Sequence, residues 1–123
     1  MFVVSIDHVQ VAAPPGCERE ARQFYGELLG LHELVKPDGL QAKGGCWFAL
    51  GDGRQQLHVG IESPHQPARK AHPCFVVEPY DEFRQRLLSH GAPVIDDEEL
   101  PGVRRFFSSD PFGNRLEFVE RSA

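Results

Sequence analysis

Apolar and polar positions along the chain change period several times, and each change marks an element. Residues 3–12 carry β-branched side chains and stop at Pro14-Pro15-Gly16, which predicts a strand and a turn. Across 17–29, Ala21, Phe24 and Leu28, with neighbouring Tyr25 and Leu29, recur at helical spacing while Glu and Arg take the other face. Gly30 supplies the stop. Short strands are predicted at 31–35, closed by Pro37-Asp38-Gly39, and at 45–50, closed by Gly51-Asp52-Gly53. Residues 55–62 alternate and form a fourth strand.

After a polar linker at 63–71 the pattern restarts. A strand at 72–77 precedes an amphipathic helix at 80–90, with Phe83, Leu87 and Leu88 on one face. Strands follow at 93–95, 103–108 and 115–120, the last two separated by Asp110-Pro111-Phe112-Gly113. The order is therefore β-α-β-β-β twice. The repeat also shows in residues: FALGDGRQQLHVGIE (48–62) aligns loosely with FFSSDPFGNRLEFVE (106–120). This sets Leu57-His58-Val59 on Leu116-Glu117-Phe118, and an internal repeat outranks local signals in deciding a fold.

Strand side chains alternate between faces. In the fourth and last strands, Leu57, Val59, Leu116 and Phe118 face one way, and His58, Arg115 and Glu117 the other. In the first strand of each half, His8 and Gln10, and His72 and Cys74, oppose the apolar set. The apolar faces need the helices as cover. The other faces carry His8, His58, His72 and Glu117, one per strand, at repeat-equivalent places. Three imidazoles and a carboxylate suit a borderline divalent ion such as Zn, Fe(II), Mn, Ni or Co. A lone strand histidine is ordinarily structural, and His32, His65 and His90 are read so; the repeat separates the other three from them.

Composition narrows the class. The 123 residues fit one domain, with module 1 at about 1–62, the linker at 63–71 and module 2 at about 72–123. A 41% hydrophobic, 25% charged chain is that of a globular protein. The net charge of −5 argues against a nucleic-acid partner. Cys17, Cys46 and Cys74 have neither knuckle nor redox spacing and read as free thiols of a reducing compartment. The start lacks a basic n-region, and no apolar run approaches the roughly 18–20 residues of a membrane helix. The expectation is a cytoplasmic protein without a membrane partner.

IDHVQVA near the start, FYGELLGL in the first helix, HPCFVV after the linker and DPFGNRLEFVE at the end resemble the glyoxalase/bleomycin-resistance/extradiol-dioxygenase superfamily, the vicinal-oxygen-chelate group. The resemblance covers nearly the whole chain, and DPFGNRLEF is its most specific piece. It implies an α+β fold in which two βαβββ modules form an open, cup-shaped mixed sheet around a metal, with helices on the outer face. It implies His8, His72 and Glu117 as ligands. His58 stands where glyoxalase I-like members carry a further ligand, often Glu. It also implies a homodimer.

The expected function is a glyoxalase-like metalloenzyme that stabilises an anionic intermediate of a small oxygen-chelating substrate by lyase or isomerase chemistry. Two alternatives stand beside it: a non-catalytic, bleomycin-resistance-type binder of small molecules, and a single-module extradiol dioxygenase. The retained ligand set favours an enzyme over a binder. Glu117 is the candidate general base if its pKa is tuned near working pH. Arg115 and Arg105 are candidates for an anionic substrate group, Arg104 competing with Arg105 for the inward face. Gln10 and Gln56 are candidates for orienting a polar one.

Overall fold

In the computed structural model, which describes residues 1–121, the chain divides into two compact units, Met1–Gln66 and Pro67–Ala123. The last two residues of the expected second module lie outside the described residues. The division falls inside the segment read as a linker.

The first unit contains β1 (His8–Ala13), α1 (Glu18–Ala21) continuing as a π-helix (Arg22–Leu28), β2 (His32–Leu34), α2 (Asp38–Gln41), β3 (Cys46–Leu50) and β4 (Gln55–Ile61). The second contains β5 (Cys74–Val77), α3 (Tyr80–Ser89), β6 (Ile95–Asp97), β7 (Arg105–Ser109) and β8 (Arg115–Glu120). The sheets have the orders β1-β4-β3-β2 and β5-β8-β7-β6. Each is mixed: β1 pairs parallel with β4 and β5 with β8, while the other neighbours are antiparallel. The fold is α+β, two four-stranded mixed sheets with few helices, and the two orders are the same order repeated.

In each unit a helix covers the apolar sheet face. Tyr25 lies against Phe48, and Phe48, Leu57 and Val59 are fully buried around it. In the second unit Tyr80 and Phe83 meet Phe106, Phe83 also meets Phe118, and Leu87 and Leu116 complete the core. Burying these large side chains is the main source of stability, each worth about 1.5–3 kcal/mol.

Several elements differ from the pattern-based expectation. The first strand begins at His8, not residue 3, because the pairing with β4 begins at His8↔Gln56. Phe2, Val3 and Val4 are exposed. The fifth strand begins at Cys74, opposite Glu117, so His72 precedes the strand rather than opening it. The sixth lies at Ile95–Asp97, where Asp97 pairs with Arg105 on β7, not at 93–95. The first helix widens to a π-helix, closed by the Leu29 N–H donating to the Phe24 carbonyl at 2.9 Å. A π-turn rotates less per residue than an α-turn, which helps adjacent Phe24 and Tyr25 both reach the core. The single turn of α2 replaces the turn expected at Pro37-Asp38-Gly39, since four residues carry no readable period.

Candidate functional site

The strand registers make the repeat specific. Gln10 pairs with His58 and Cys74 with Glu117, so β4 and β8 place His58 and Glu117 at equivalent rungs. His8 and His72 each stand two residues before the partner of that rung. Trp47 and Phe107 are the equivalent neighbours on β3 and β7.

In the second unit, His72 and Glu117 are in contact. Nε2 of His72 lies 2.8 Å from Oε1 of Glu117, and Nδ1 lies 2.7 Å from the Lys70 carbonyl. The carbonyl can only accept, so Nδ1 carries the proton. Nε2 faces the carboxylate oxygen, so the pair can share a proton or hold a cation between them. Oε2 of Glu117 accepts from Arg105 at 3.1 Å, and the same guanidinium donates to Asp97 at 3.2 Å. Burial pushes the Glu117 carboxyl up, but the bonds from His72, Arg105 and Cys74 outweigh it and hold the group below its ordinary value. Glu117 is thus a weak base in this arrangement. Cys74 is exposed, and its thiol is pushed up to about 11 by desolvation and by the Glu117 charge. It has no nucleophilic character near neutral pH.

In the first unit, three rings stack. Trp47 lies on His58 with centroids 4.0 Å apart and planes within 3°, and His8 lies on the other face of His58 at 4.2 Å and 14°. His58 is 5% exposed. Its Nε2 donates to Oε1 of Gln56 at 2.8 Å. Burial, and then His8, hold its pKa below the ordinary value. Nδ1 of His8 is 2.9 Å from Asp7, which leaves Nε2 of His8 free. A metal must lie near the plane of each imidazole that binds it, and near-parallel rings more than 4 Å apart share no such point. In this stack His8 and His58 therefore cannot both ligate one ion.

The other expected residues divide clearly. Arg104 turns to the opposite face and pairs with Glu120 and Asp81, so Arg105 takes the Glu117 face. Arg105 is committed to Asp97 and Glu117, with 15% side-chain exposure. Arg115 lies over the Phe107 ring at 4.3 Å. Gln10 is exposed on β1, and its side chain occupies space above Gly60, where a Cβ would come within 2.6 Å of it. Asp7, Lys70 and Trp47 acquire their roles through contacts that no periodicity announces. Asp7 alone had a signal, as the carboxylate next to a candidate ligand.

The DPFGN segment positions β8. Oδ1 of Asp110 accepts the N–H groups of Phe112 and Asn114, each at 2.9 Å, and Oδ2 accepts from the Asn114 side chain at 2.9 Å. Gly113 adopts φ +85°, which a side chain would strain. This turn sets the register that carries Arg115 and Glu117.

The donor set fits a divalent cation chemically. Imidazole nitrogen and carboxylate oxygen bind borderline ions at about 2.1 Å, and neighbouring donors in such a shell stand about 3 Å apart, close to the His72–Glu117 separation. Among the described residues, no three or more His, Cys, Asp or Glu side chains are gathered as a metal-holding group. The second unit by itself offers the pair His72 and Glu117.

These features define a fold of the vicinal-oxygen-chelate kind. The family model of the Glyoxalase/Bleomycin resistance protein/Dioxygenase superfamily matches residues 5–118, and the chain belongs to that superfamily. Its structure is similar to that of a Bacillus anthracis protein assigned to the glyoxalase family, with 53% identity, coverage of 99% of this chain and 98% of that one, and a TM-score of 0.94. It shares its fold with lactoylglutathione lyase from Agrobacterium tumefaciens, at 23% identity, 98% and 96% coverage and a TM-score of 0.73. The same holds for TnmS3, an antibiotic binding protein from Streptomyces sp. CB03234, at 22% identity, 99% coverage of both chains and a TM-score of 0.77. No curated protein matches the chain. No helix among the described residues is long and apolar enough to cross a membrane.

Proposed function

We propose that this chain is a glyoxalase-like metalloenzyme of lyase or isomerase type, holding one divalent cation through His8, His72 and Glu117. The substrate is a small molecule with neighbouring oxygens. The observation that carries the proposal is the His72–Glu117 contact, in which Lys70 fixes the ring so that Nε2 meets a carboxylate oxygen. When bound, the cation polarises substrate oxygens and stabilises the negative charge that develops.

The chain's own residues prepare this site. Lys70 and Asp7 orient the two ligand imidazoles, as outer partners of metal ligands ordinarily do. Arg105 holds the second oxygen of Glu117 and limits the swing of the carboxylate. His58 is the stacking platform for His8 and joins the ligand set only if the stack opens. Gln10 and Arg115 meet the substrate, and Gln56 orients His58. A homodimer is part of the proposal: the fully exposed Phe2 and the largely exposed Val3 and Val4 are apolar surface for a second copy to cover. Three free cysteines fit a cytoplasmic location.

One observation favours a second reading, a non-catalytic small-molecule binder. Glu117 already has partners in His72, Arg105 and Cys74, so its charge is met without a metal ion. Metal analysis of protein purified without chelator separates the two. About one equivalent of Ni, Zn, Co or Mn, lost in Glu117→Gln and His72→Ala, is the expected result. Iron with oxygen uptake on catechols would transfer the chain to dioxygenase chemistry. No metal in the wild type, even after reconstitution, would leave the binder.

A further inference from the structure

We propose that a cleft within the second unit binds a carboxylate, with Arg115 and Arg69 gripping the anion and Phe107 and Ile95 receiving a compact apolar body. This deepens the reading above by naming the kind of ligand, and rests on it only for the claim that the ligand is the substrate.

The cleft has a volume of about 590 Å³ and is lined by Pro67, Arg69, Ile95, Asp97, Phe107 and Arg115 among others. That size suits a small organic molecule. Arg115 and Phe107 lie on the same face of the sheet as Glu117, because Phe107 pairs with Glu117 and Arg115 is two residues before it.

Most guanidinium groups of this unit are neutralised by the fold. Arg84 pairs with Asp96, Arg104 with Asp81 and Glu120, Arg105 with Asp97 and Glu117, and Arg121 with Glu78. Among the described residues Arg69 and Arg115 have no ion-pair partner, and both line the cleft. Asp97 also lines it and feels the Arg115 charge without an ion-pair contact, its carboxylate being bonded to Arg105 at 3.2 Å and to the Glu99 N–H at 2.8 Å.

An unpaired surface arginine is common and proves nothing alone. Arg115 differs because it is held. Its guanidinium lies over the Phe107 ring at 4.3 Å, which occupies one face and leaves the in-plane N–H donors available. Those donors match the planar, two-oxygen geometry of a carboxylate. Ser109, the cross-strand partner of Arg115, adds a hydroxyl to the lining. Beside this polar end, Ile95 is 64% exposed on an edge strand and Pro67 extends the apolar wall. A cation pair beside an apolar floor selects a monocarboxylate with an aromatic or branched body over a bare inorganic anion.

The test is calorimetric titration of the full chain, freed of metal by chelator, with benzoate and with benzamide as the uncharged isostere. The expected result is saturable benzoate binding at least about tenfold tighter than benzamide, weakened about tenfold in Arg115→Gln and also weakened in Arg69→Gln. Arg115→Lys keeps the charge and the stem, guards against misfolding, and is expected to fall between wild type and Arg115→Gln. Equal binding of benzoate and benzamide, or benzoate binding indifferent to both substitutions, overturns the inference. Benzoate binding that requires added Ni also overturns it, while supporting the metal reading. Benzoate binding by a chain that takes up no metal keeps the inference and removes the metal reading.

Discussion

Arg105 on β7 donates to Oε2 of Glu117 on β8 at 3.1 Å, while His72 meets Oε1 at 2.8 Å. Each oxygen thus has its own partner, and the guanidinium is anchored through its second amino group by Asp97. Removing Arg105 leaves a buried carboxylate without its cation, which costs more than removing both charges. Arg105→Met is expected to lower the melting temperature by roughly 5 °C or more. The double variant Arg105→Met/Glu117→Met is expected to melt above the single one. A double variant that melts lower would show that the pair contributes no such coupling.

The Trp47–His58 stack makes a spectroscopic prediction. His58 is held below its ordinary pKa mainly because burial disfavours the imidazolium. Trp47→Ala opens one face of the ring to water, so the His58 pKa should rise toward 6.5, followed by the pH titration of its ring proton in NMR. Trp47→Phe keeps a stacking face and should move it less. An unchanged titration in Trp47→Ala would mean that the stack does not desolvate His58.

Glu18 predicts a pH dependence. Its carboxylate accepts the Gly45 N–H at 2.7 Å, which is the main reason its pKa lies below the ordinary 4.5. The folded chain therefore takes up this proton at lower pH than the unfolded chain. The stability contributed is complete above pH 4.5 and is lost as pH falls through the lowered folded value. Glu18→Gln should cost about 1 kcal/mol at pH 7 in urea unfolding, with the difference shrinking at pH 3. A difference that persists in acid would assign the effect to packing.

Gly45 itself tolerates no side chain. It adopts φ +85°, and a Cβ there would lie 2.1 Å from the Val59 carbonyl oxygen. Gly16 has φ +83° but nothing within 4 Å of a built Cβ. Gly16→Ala should therefore cost only the left-handed backbone penalty, about 1–2 kcal/mol. Gly45→Ala should cost several times that, or leave little folded protein by circular dichroism.

Asp110 is the anchor of the last hairpin. Asp110→Ala removes the acceptor of two backbone N–H groups and of the Asn114 amide, and strands those donors in a buried turn. A loss of about 2–4 kcal/mol is expected in chemical denaturation, with Asp110→Asn recovering part of it. Equal loss in both variants would point to the charge rather than the hydrogen bonds.

The repeat was legible because strand parity and helical spacing are local. Alternation placed Leu57, Val59, Leu116 and Phe118 on core faces, and all four are buried. The DPFGN turn was equally plain, since its Asp, Gly and Asn act within five residues of each other. Parity also placed His58 and Glu117 on equivalent strands, and the registers put them on equivalent rungs. Strand starts were less legible: residues 3–7 have strand-like composition but stand before the first rung of β1, and composition does not disclose where a partner begins.

By itself the sequence determined the element order, the twofold repetition and which face of each strand is apolar, because these follow from covalent geometry and nearest-neighbour preference. Tertiary structure decided which charges meet. Arg104 and Arg105 are indistinguishable by type, yet one lies on the Glu120 side of the sheet and the other on the Glu117 side. His58 became the middle of a ring stack and His72 the partner of a carboxylate, although both read as strand histidines. Side-chain pairing across strands depends on register and rotamer, and those are fixed only when the whole sheet has closed on its core.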